Sequence, residues 1–252
     1  MADRLPRQRL IAVDGAKLWV AEQGEGRPVV LCNGGFGCCD YLGPVAAMID
    51  DLVRVYRVEP RGCGRSSRDG PYDLDTSLAD LDALRRAFGH DRWLVGGHSA
   101  GADLALAYAL SYPERVDALL YLSGTGIQDD RRWHEAYEAG RAGRGERLPT
   151  LAYPFNRDVN RAGNASWREF IKRPMLPRRI ADLTLPTLVV HGSEDIRPSW
   201  PAHQIANLMP NARFELIDGA EHHLELTRPD DLRQRLRSFL RDVPTEEGNP
   251  GW

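Results

Sequence analysis

The sequence predicts an α/β fold in which a mostly parallel sheet of about eight strands carries helices on both faces. Short apolar runs alternate with amphipathic segments along most of the chain, which is the order of strand–helix–strand units. One of these runs, residues 27–33, is a short apolar stretch followed by glycines, as expected of a parallel strand buried on both faces. A hairpin signal, Asp14-Gly15, stands between the first two runs, so the sheet is expected to begin with an antiparallel pair.

Each element has a local signal in the sequence. The predicted strands cover residues 9–26 (as a hairpin), 27–33, 52–60, 92–99, 116–126, 184–195 and 212–222. The predicted helices cover residues 75–89, 100–113 and 229–243. Gly89 and Pro113 mark the ends of the first two helices, and Pro229 can open the third. Residues 245–252 are expected to form a loose tail.

The composition excludes several classes of protein. With 252 residues, 42% of them hydrophobic and 27% charged, the chain can bury an ample core. A net charge of −3 argues against a nucleic-acid partner. No run of about 18 apolar residues occurs, and the first ten residues lack the apolar segment of a signal peptide. We therefore expect no membrane association and a cytoplasmic location. The four cysteines match no zinc spacing, so no metal site is expected.

Residues 127–183 interrupt the alternation of strands and helices. They contain no strong strand signal and lie between two predicted core strands, so we expect a helical cap inserted into a core of residues 1–126 and 184–252. Ligand crevices open at the carboxyl edge of such a sheet, where the cap would lie. Part of its aromatic set should line an apolar substrate pocket, and the rest should anchor the cap to the core. The candidates for substrate contact are Phe36 of the core and Trp133, Tyr137, Tyr153, Phe155 and Trp167 of the cap. Because the chemistry would lie beneath the cap, cap substitutions should change substrate preference and leave the nucleophile reactive.

The stretch Gly97-His98-Ser99-Ala100-Gly101 has the pattern of a nucleophile held in a tight turn between a strand and a helix. An apolar strand precedes Ser99 and an alanine-rich helix follows it, so the context fits the motif. Side chains at either flanking glycine would collide with neighbouring elements. The helix N-terminus just after Ser99 favours developing negative charge. Ser99 is therefore the candidate nucleophile.

A serine nucleophile needs a histidine base and a carboxylate that orients the histidine. The next-to-last predicted strand ends in Glu194 and Asp195, and either could supply the carboxylate. Asp195 is favoured because it lies deeper in the loop over the sheet edge. The last predicted strand leads into His222 and His223, of which at most one can reach the serine. Its spacing to the final helix favours His222 as the base.

An oxyanion hole needs two backbone N–H donors. One should come from Ala100, directly after the nucleophile. The other should come from the glycine-rich loop at residues 33–37, which we call the oxyanion loop, with Gly35 as the candidate donor. Glycines in this loop would let the backbone approach a substrate closely.

With its triad in the order Ser99, Asp195, His222, the chain resembles the α/β-hydrolase superfamily over essentially its whole length. It is most similar to proline iminopeptidase-like serine hydrolases. That similarity rests on Arg61-Gly62-Cys63-Gly64-Arg65-Ser66, on a helix that starts at Asp75-Thr76 and ends at Leu84-Arg85, and on residues 104–116. The resemblance implies the α/β-hydrolase fold with a helical cap.

Three departures set the chain apart from the iminopeptidases that it resembles. Asn33 and Phe36 replace the usual His and Pro of the oxyanion loop, and Ala100 replaces the Trp that usually follows the nucleophile. The expected cap is smaller than theirs and net basic, with twelve Arg or Lys against eight Asp or Glu in residues 127–182. Its positive charge either favours an anionic substrate or forms a solvated face.

The expected function is a serine hydrolase without metal or organic cofactor, acting on a small-molecule ester, lactone, thioester or amide through an acyl-enzyme. An iminopeptidase-like aminopeptidase remains the nearest alternative. A ligand-binding receptor or a lyase on the same fold remains a second. The protein is expected to be a monomer or a homodimer.

Overall fold

The described part of the protein, residues 5–128 and 131–244 of a computed structural model, contains one sheet of eight strands. The predicted tail at 245–252 lies outside the described residues. The strands are β1 (Arg7–Val13), β2 (Ala16–Gln23), β3 (Pro28–Cys32), β4 (Arg54–Val58), β5 (Trp93–His98), β6 (Val116–Leu122), β7 (Thr187–Gly192) and β8 (Ala212–Ile217). Their order across the sheet is β1-β2-β4-β3-β5-β6-β7-β8.

The sheet is parallel except at one edge. β1 pairs antiparallel with β2, and β2 pairs antiparallel with β4. All pairings from β4 through β3, β5, β6 and β7 to β8 are parallel. The predicted fold class is therefore confirmed, including the hairpin that opens the sheet.

Helices cover both faces of the sheet. They are α1 (Gly43–Ala47), α2 (Leu74–Ala87), α3 (Ala100–Ser111), α4 (Arg131–Gly143), α5 (Arg157–Ile171), α6 (Leu176–Ala181), α7 (Trp200–Leu208), α8 (Leu224–Thr227) and α9 (Pro229–Asp242). No helix among the described residues has the length and apolar character needed to cross a bilayer.

Two buried clusters form the core, one on each face of the sheet. Side chains of α2, α3, α5, α6 and α7 contribute to the first cluster, and those of α1, α8 and α9 contribute to the second. Neighbouring strand residues point to opposite faces. In β5, for example, Trp93 and Val95 join the first cluster and Leu94 joins the second. Burial on both faces explains why β3, with the sequence Pro-Val-Val-Leu-Cys, is continuously apolar.

The parallel strands bring four loops to one edge of the sheet. The oxyanion loop follows β3, Ser99 follows β5, Asp195 lies beyond β7, and His222 lies beyond β8. Because parallel strands share one carboxyl edge, residues far apart in sequence are brought to the same place.

Candidate active site

Ser99 occupies a strained turn between β5 and α3. Its backbone angles, φ 55° and ψ −128°, lie in a region that non-glycine residues rarely adopt. A Cβ on Gly97 would collide with the carbonyl of Gly101, and a Cβ on Gly101 would collide with the carbonyl of Cys32. The backbone N–H of Ser99 donates to Leu122 O at 2.8 Å, which ties the turn to β6. The local geometry is that of a serine presented at the sheet edge.

Asp195 and His222 form a buried pair. His222 Nδ1 lies 2.7 Å from Asp195 Oδ2, and neither side chain is more than 3% exposed. A carboxylate oxygen can only accept here, so Nδ1 carries the proton and Nε2 keeps its lone pair. His222 is thereby in the tautomer that a general base requires. Glu194, the other candidate acid, instead pairs with Arg144 on the surface.

Burial sets the protonation states of this pair. Burial lowers the pKa of His222 to about 4, although the charge of Asp195 opposes that shift. Burial by itself would raise the pKa of Asp195, but His222, His191 and Arg197 together hold it well below its ordinary value. At neutral pH the pair therefore consists of a neutral imidazole and an ionised carboxylate.

The Asp195 carboxylate has further partners, which sequence reasoning missed. The backbone N–H of Arg197 donates to Asp195 Oδ1 at 2.9 Å, and the Arg197 guanidinium lies 3.3 Å from the same oxygen. His191 Nε2 lies 3.4 Å from Oδ2. The Arg197 guanidinium also pairs with Glu146, which lies between α4 and α5. These contacts fix the acid in place, and no local sequence signal marks Glu146 or Arg197.

His98 links the serine turn to the histidine loop. The carbonyl of His222 is an acceptor, so His98 Nε2 must donate to it, at 2.9 Å. His98 Nδ1 then accepts from the Tyr41 hydroxyl at 2.7 Å, and Tyr41 Oη accepts from the backbone N–H of Gly34 at 2.8 Å. Burial lowers the pKa of His98 to about 3, which keeps the ring neutral. One chain of hydrogen bonds thus joins the oxyanion loop, the residue before Ser99 and the loop of His222.

The Ser99 hydroxyl makes no hydrogen bond to His222 among those formed by the described residues. The rings of His98 and His222 have centroids 4.6 Å apart, so the histidine lies beside the serine's neighbour. Hydrogen bonds between a nucleophile and its base are often loose until substrate binds. The structure brings Asp195 and His222 into direct contact and sets Ser99 at the same edge.

The oxyanion loop lies against Ser99. A Cβ on Gly34 would lie 2.8 Å from Ser99 Cβ, so the two residues are in close contact. Gly35 and Phe36 have φ angles of 73° and 44°, both in the left-handed region. Ala100 is the first residue of α3, where backbone N–H groups have no partner within the helix. Ala100 therefore directly follows the serine, and Gly35 follows the glycine that contacts it.

The aromatic residues predicted to contact substrate occupy three different environments. The Phe155 ring lies over the oxyanion loop, within 3.5 Å of where a Cβ on Gly35 would be. Phe155 is 41% exposed and Tyr153 is 38% exposed, as expected at a site entrance. Trp133 and Tyr137 stack on each other on α4, with ring centroids 5.3 Å apart. The Phe36 ring packs on Gly163 of α5, where a Cβ would lie 2.5 Å from it.

Trp167 requires a correction. The sequence prediction placed it among the substrate-contact residues, but it is 6% exposed and belongs to the first core cluster. Its ring stacks on Phe170 with centroids 5.2 Å apart. Spacing of three residues along α5 puts both rings on its buried face, so Trp167 anchors the helix to the core.

Two groups of side chains among the described residues have the ligand atoms for a metal. They are His98, His223 and Glu225, and Glu146, Asp195 and His222, each with atoms within 4.8 Å of one another. In the first group both ring nitrogens of His98 already form hydrogen bonds. His223 Nδ1 pairs with Glu225 Oε1 at 3.1 Å. In the second group the Arg197 cation occupies the place between two of the carboxylates. The donor sets thus fit hydrogen bonding better than metal ligation.

Cations between β6 and β7 have local partners. Arg144 pairs with Glu194, and Arg161, Lys172 and Arg178 pair with acidic residues three or four positions away along the chain. The Arg179 guanidinium donates to the carbonyl of Leu110. Of the two interpretations of the basic segment, these contacts favour the solvated face.

Comparisons with known proteins agree with the fold. A family model described as the alpha/beta hydrolase fold matches residues 27–162. A Caulobacter segnis protein, provisionally named the carbamate hydrolase RutD, is 25% identical over 85% of this chain and 92% of its own length. The proline iminopeptidase of Saccharolobus solfataricus is 38% identical over 109 residues, which are 40% of this chain and 34% of that protein. The solved enol-lactonase of Burkholderia xenovorans has a TM-score of 0.73 at 20% identity, covering 93% of this chain and 100% of that one.

Proposed function

The chain belongs to the alpha/beta hydrolase fold family, and on this premise we propose that it is a serine hydrolase with Ser99, His222 and Asp195 as its catalytic triad. It is a hydrolase like the relatives to which it is similar. The proposal concerns the residues that do the chemistry and the bond that is cleaved. That bond belongs to a small-molecule ester, lactone, thioester, amide or carbamate.

One observation carries the proposal, namely the buried Asp195–His222 pair at the sheet edge that holds the strained Ser99. The 2.7 Å contact at Nδ1 leaves Nε2 as the free basic nitrogen of His222. The buried Nδ1–H needs an acceptor, but a neutral carbonyl would satisfy it without the cost of burying a charged carboxylate. A nucleophile on a strained turn nearby supplies the reason for the arrangement.

The geometry supports a two-step mechanism. His222 Nε2 takes the proton from the Ser99 hydroxyl, and Ser99 Oγ bonds to the substrate's carbonyl carbon. Backbone N–H groups of Gly35 and Ala100 stabilise the resulting oxyanion. His222 then protonates the leaving group, whose bond to carbon breaks, and an acyl-enzyme remains. His222 takes a proton from a water molecule, which attacks the acyl carbon; the bond from that carbon to Ser99 Oγ then breaks, His222 returns the proton to Oγ, and the acid product leaves. Asp195 stabilises the imidazolium in both steps.

We further propose that residues 127–183 act as a cap that bounds the substrate site. The position of Phe155 over the oxyanion loop and the exposure of Tyr153 support this role. Contacts between α5 and the loop support it from a second side. Phe36, Trp133 and Tyr137 are further candidates for substrate contact. The cytoplasmic location and the oligomeric state remain predictions.

The similar proteins, as they are named, act on compounds that share one chemical feature. Carbamates, aminoacyl amides and enol-lactones all present a carbonyl carbon to a nucleophile, so one triad could serve each of them. A receptor on this fold would bind such compounds without turning them over. A lyase would need the base, His222, and would not form an acyl-enzyme at Ser99.

The test is turnover of a panel that contains p-nitrophenyl acetate, a small lactone, a prolyl amide and a carbamate. Ser99→Ala and His222→Ala should each lower kcat by about 10³-fold or more, as for other triads. His223→Ala is the matched control, since His223 pairs with Glu225 and not with Asp195, and it should retain most of the activity. Equal activity of wild type and Ser99→Ala on every compound turned over would refute the proposal.

A further inference from the structure

We propose that Asn160 of α5 is a positioning residue that holds the oxyanion loop in its active shape. This inference rests on the proposed serine hydrolase function and names a residue outside the triad on which the function depends. The inference is based on one contact between α5 and the oxyanion loop. Asn160 Nδ2 donates to the carbonyl oxygen of Gly35 at 2.6 Å.

The contact acts on the peptide group next to the candidate donor. The carbonyl of Gly35 belongs to the planar peptide that joins Gly35 to Phe36. Fixing the direction of that carbonyl limits rotation about the Gly35 backbone, and so limits where the Gly35 N–H can point. The Gly37 N–H also approaches Gly35 O, at 2.5 Å, but it belongs to the same loop and moves with it. Asn160 holds the same carbonyl from outside the loop.

The loop needs external support because its backbone is strained. Gly35 and Phe36 have consecutive φ angles of 73° and 44°, and the second belongs to a residue with a large side chain. Such conformations persist only where the surroundings hold them. From the preceding side of the loop, Tyr41 Oη accepts the Gly34 N–H. On the other side of the loop, Asn160 Nδ2 donates to the Gly35 carbonyl.

α5 is rigid enough to serve as this support. Near its end, Trp167 and Phe170 are buried in the core and stack on each other. The hydroxyl of Ser166 accepts from the backbone N–H of Leu74 at 2.9 Å, which joins α5 to the start of α2. A group carried by this helix therefore has a fixed position relative to the sheet.

Two further contacts join the N-cap of α5 and the middle of the helix to the same loop. Asn156, the N-cap of α5, donates its backbone N–H to Gly37 O at 2.9 Å and its Nδ2 to Gly62 O at 2.8 Å. Gly163, one turn after Asn160, faces the Phe36 ring so closely that a Cβ would lie 2.5 Å from it. The loop is therefore in contact with α5 at three places, and Asn160 is the one that touches the donor residue.

The chain offers a matched control one turn along the same helix. Asn164 is also half-buried, and its Nδ2 donates to Asn160 O at 2.8 Å, within α5. Replacing either asparagine removes one side-chain amide from the same face of α5. Only the Asn160 substitution removes a bond to the oxyanion loop.

The expected effect falls on kcat. Oxyanion donors act on charge that develops in the transition state, and removal of one donor costs about 10²- to 10³-fold in kcat. Asn160 only orients a donor, so we expect Asn160→Asp, which keeps the shape, loses the N–H groups and sets a carboxylate that repels the Gly35 carbonyl, to lower kcat about 10-fold or more. KM should change less than about two-fold, because a ground-state carbonyl depends little on these donors.

The experiment compares wild type with Asn160→Asp, Asn160→Ala, Asn164→Ala and Ser99→Ala. The readouts are kcat and KM on p-nitrophenyl acetate, the rate of labelling by a fluorophosphonate, and Tm. Labelling also forms a tetrahedral adduct whose oxygen would lie in the oxyanion hole, so it reports on the loop without a known substrate. We expect both Asn160 variants to react slowly at near wild-type Tm, and Asn164→Ala to react at the wild-type rate.

The outcomes separate this inference from the proposed function. If Ser99→Ala is inert and both Asn160 variants match Asn164→Ala in kcat and labelling rate, the positioning role is wrong and the triad stands. If Asn160→Asp loses activity only through a raised KM, Asn160 contacts substrate and the positioning role is also wrong. If Ser99→Ala retains wild-type reactivity, the proposed function itself fails. Should Asn160→Ala fold poorly, Asn160→Asp decides between the first two outcomes.

Discussion

His98 Nε2 donates a hydrogen bond of 2.9 Å to the backbone carbonyl of His222, 124 residues further along the chain. The bond joins the residue before the proposed nucleophile to the residue proposed as its base. Both rings are buried, and their centroids are 4.6 Å apart. This hydrogen bond and the sheet together therefore set the distance between the proposed nucleophile and the proposed base.

Replacing His98 should impair catalysis more than it impairs folding. His98→Ala removes the bonds to His222 and to Tyr41, so the loop of the base can move relative to Ser99. Misplacement of reacting groups by about 1 Å can cost about 10²-fold in rate, and we expect a loss in kcat of that order. His203→Ala, at an exposed histidine on α7, is the control. Full activity in a folded His98→Ala protein would show that the bond does not position the base.

The pH profile should report the protonation of His222. Burial lowers the pKa of this imidazole to about 4, and only the neutral form can accept the Ser99 proton. The pKa of Asp195 is held lower still, so the acid remains ionised over the same range. We therefore expect kcat/KM to be flat from pH 6 to 8 and to fall as pH drops through about 4. Circular dichroism at each pH controls for unfolding, and a midpoint near 6.5 would contradict the buried, neutral state of His222.

A methyl group on Gly34 should disable the site by direct contact. The Cβ of Gly34→Ala would lie 2.5 Å from Tyr41 Oη and 2.8 Å from Ser99 Cβ, closer than real Cβ atoms come to such groups. Either the oxyanion loop or the serine turn must move, so we expect a fall in kcat of about 10²-fold. Gly145→Ala adds the same group where nothing lies within 4 Å, and it should leave kcat unchanged. Similar activity in the two variants would mean that the loop adapts without affecting the chemistry.

Phe155 should influence which acyl chain the protein prefers. Its ring lies over the oxyanion loop and is 41% exposed, so it can contact a substrate there. Loss of such an apolar contact is worth about 1–3 kcal/mol, so Phe155→Ala should change the ratio of kcat/KM between butyrate and acetate p-nitrophenyl esters by about 10-fold or more. Met175→Ala, at another exposed apolar residue of the same segment, serves as control. An unchanged ratio would remove Phe155 from the substrate site.

The fold could be predicted from the sequence because its signals are local. Continuous apolar runs and a hairpin dipeptide specify strands one at a time, and the order of strands and helices then restricts the topology to few choices. Short helices such as α1 and α8, with five and four residues, carry too little periodicity to be recognised. The predicted strands correspond to strands in the sheet, with boundaries displaced by a few residues.

Only those residues of the candidate site that follow a recognisable local pattern could be proposed from the sequence. A serine between glycines, a carboxylate and a histidine each follow a predicted strand, so each could be proposed. Tyr41, Arg197 and Asn160 reach the site through tertiary contacts between distant segments, and no spacing in the sequence marks them.

Contact between α5 and the oxyanion loop also changes one expectation about the cap segment. The sequence alone predicts that substitutions in residues 127–183 leave the nucleophile reactive, because the chemistry would lie beneath them. Under the positioning role proposed for Asn160, which donates to Gly35, this expectation does not cover the face of α5 that meets the loop. It still covers Phe155, whose ring contacts the loop without a hydrogen bond to its backbone.

Covalent labelling tests the central claim most directly. A fluorophosphonate reacts with a serine hydroxyl only where a base and an oxyanion hole activate it, so it needs no knowledge of the natural substrate. Wild-type protein is incubated with the reagent at pH 7, digested, and the modified residue is located by mass spectrometry. We predict one adduct per chain, on Ser99, and its absence in Ser99→Ala and His222→Ala. An adduct on another residue, or equal labelling of Ser99→Ala, would show that Ser99 is not the nucleophile.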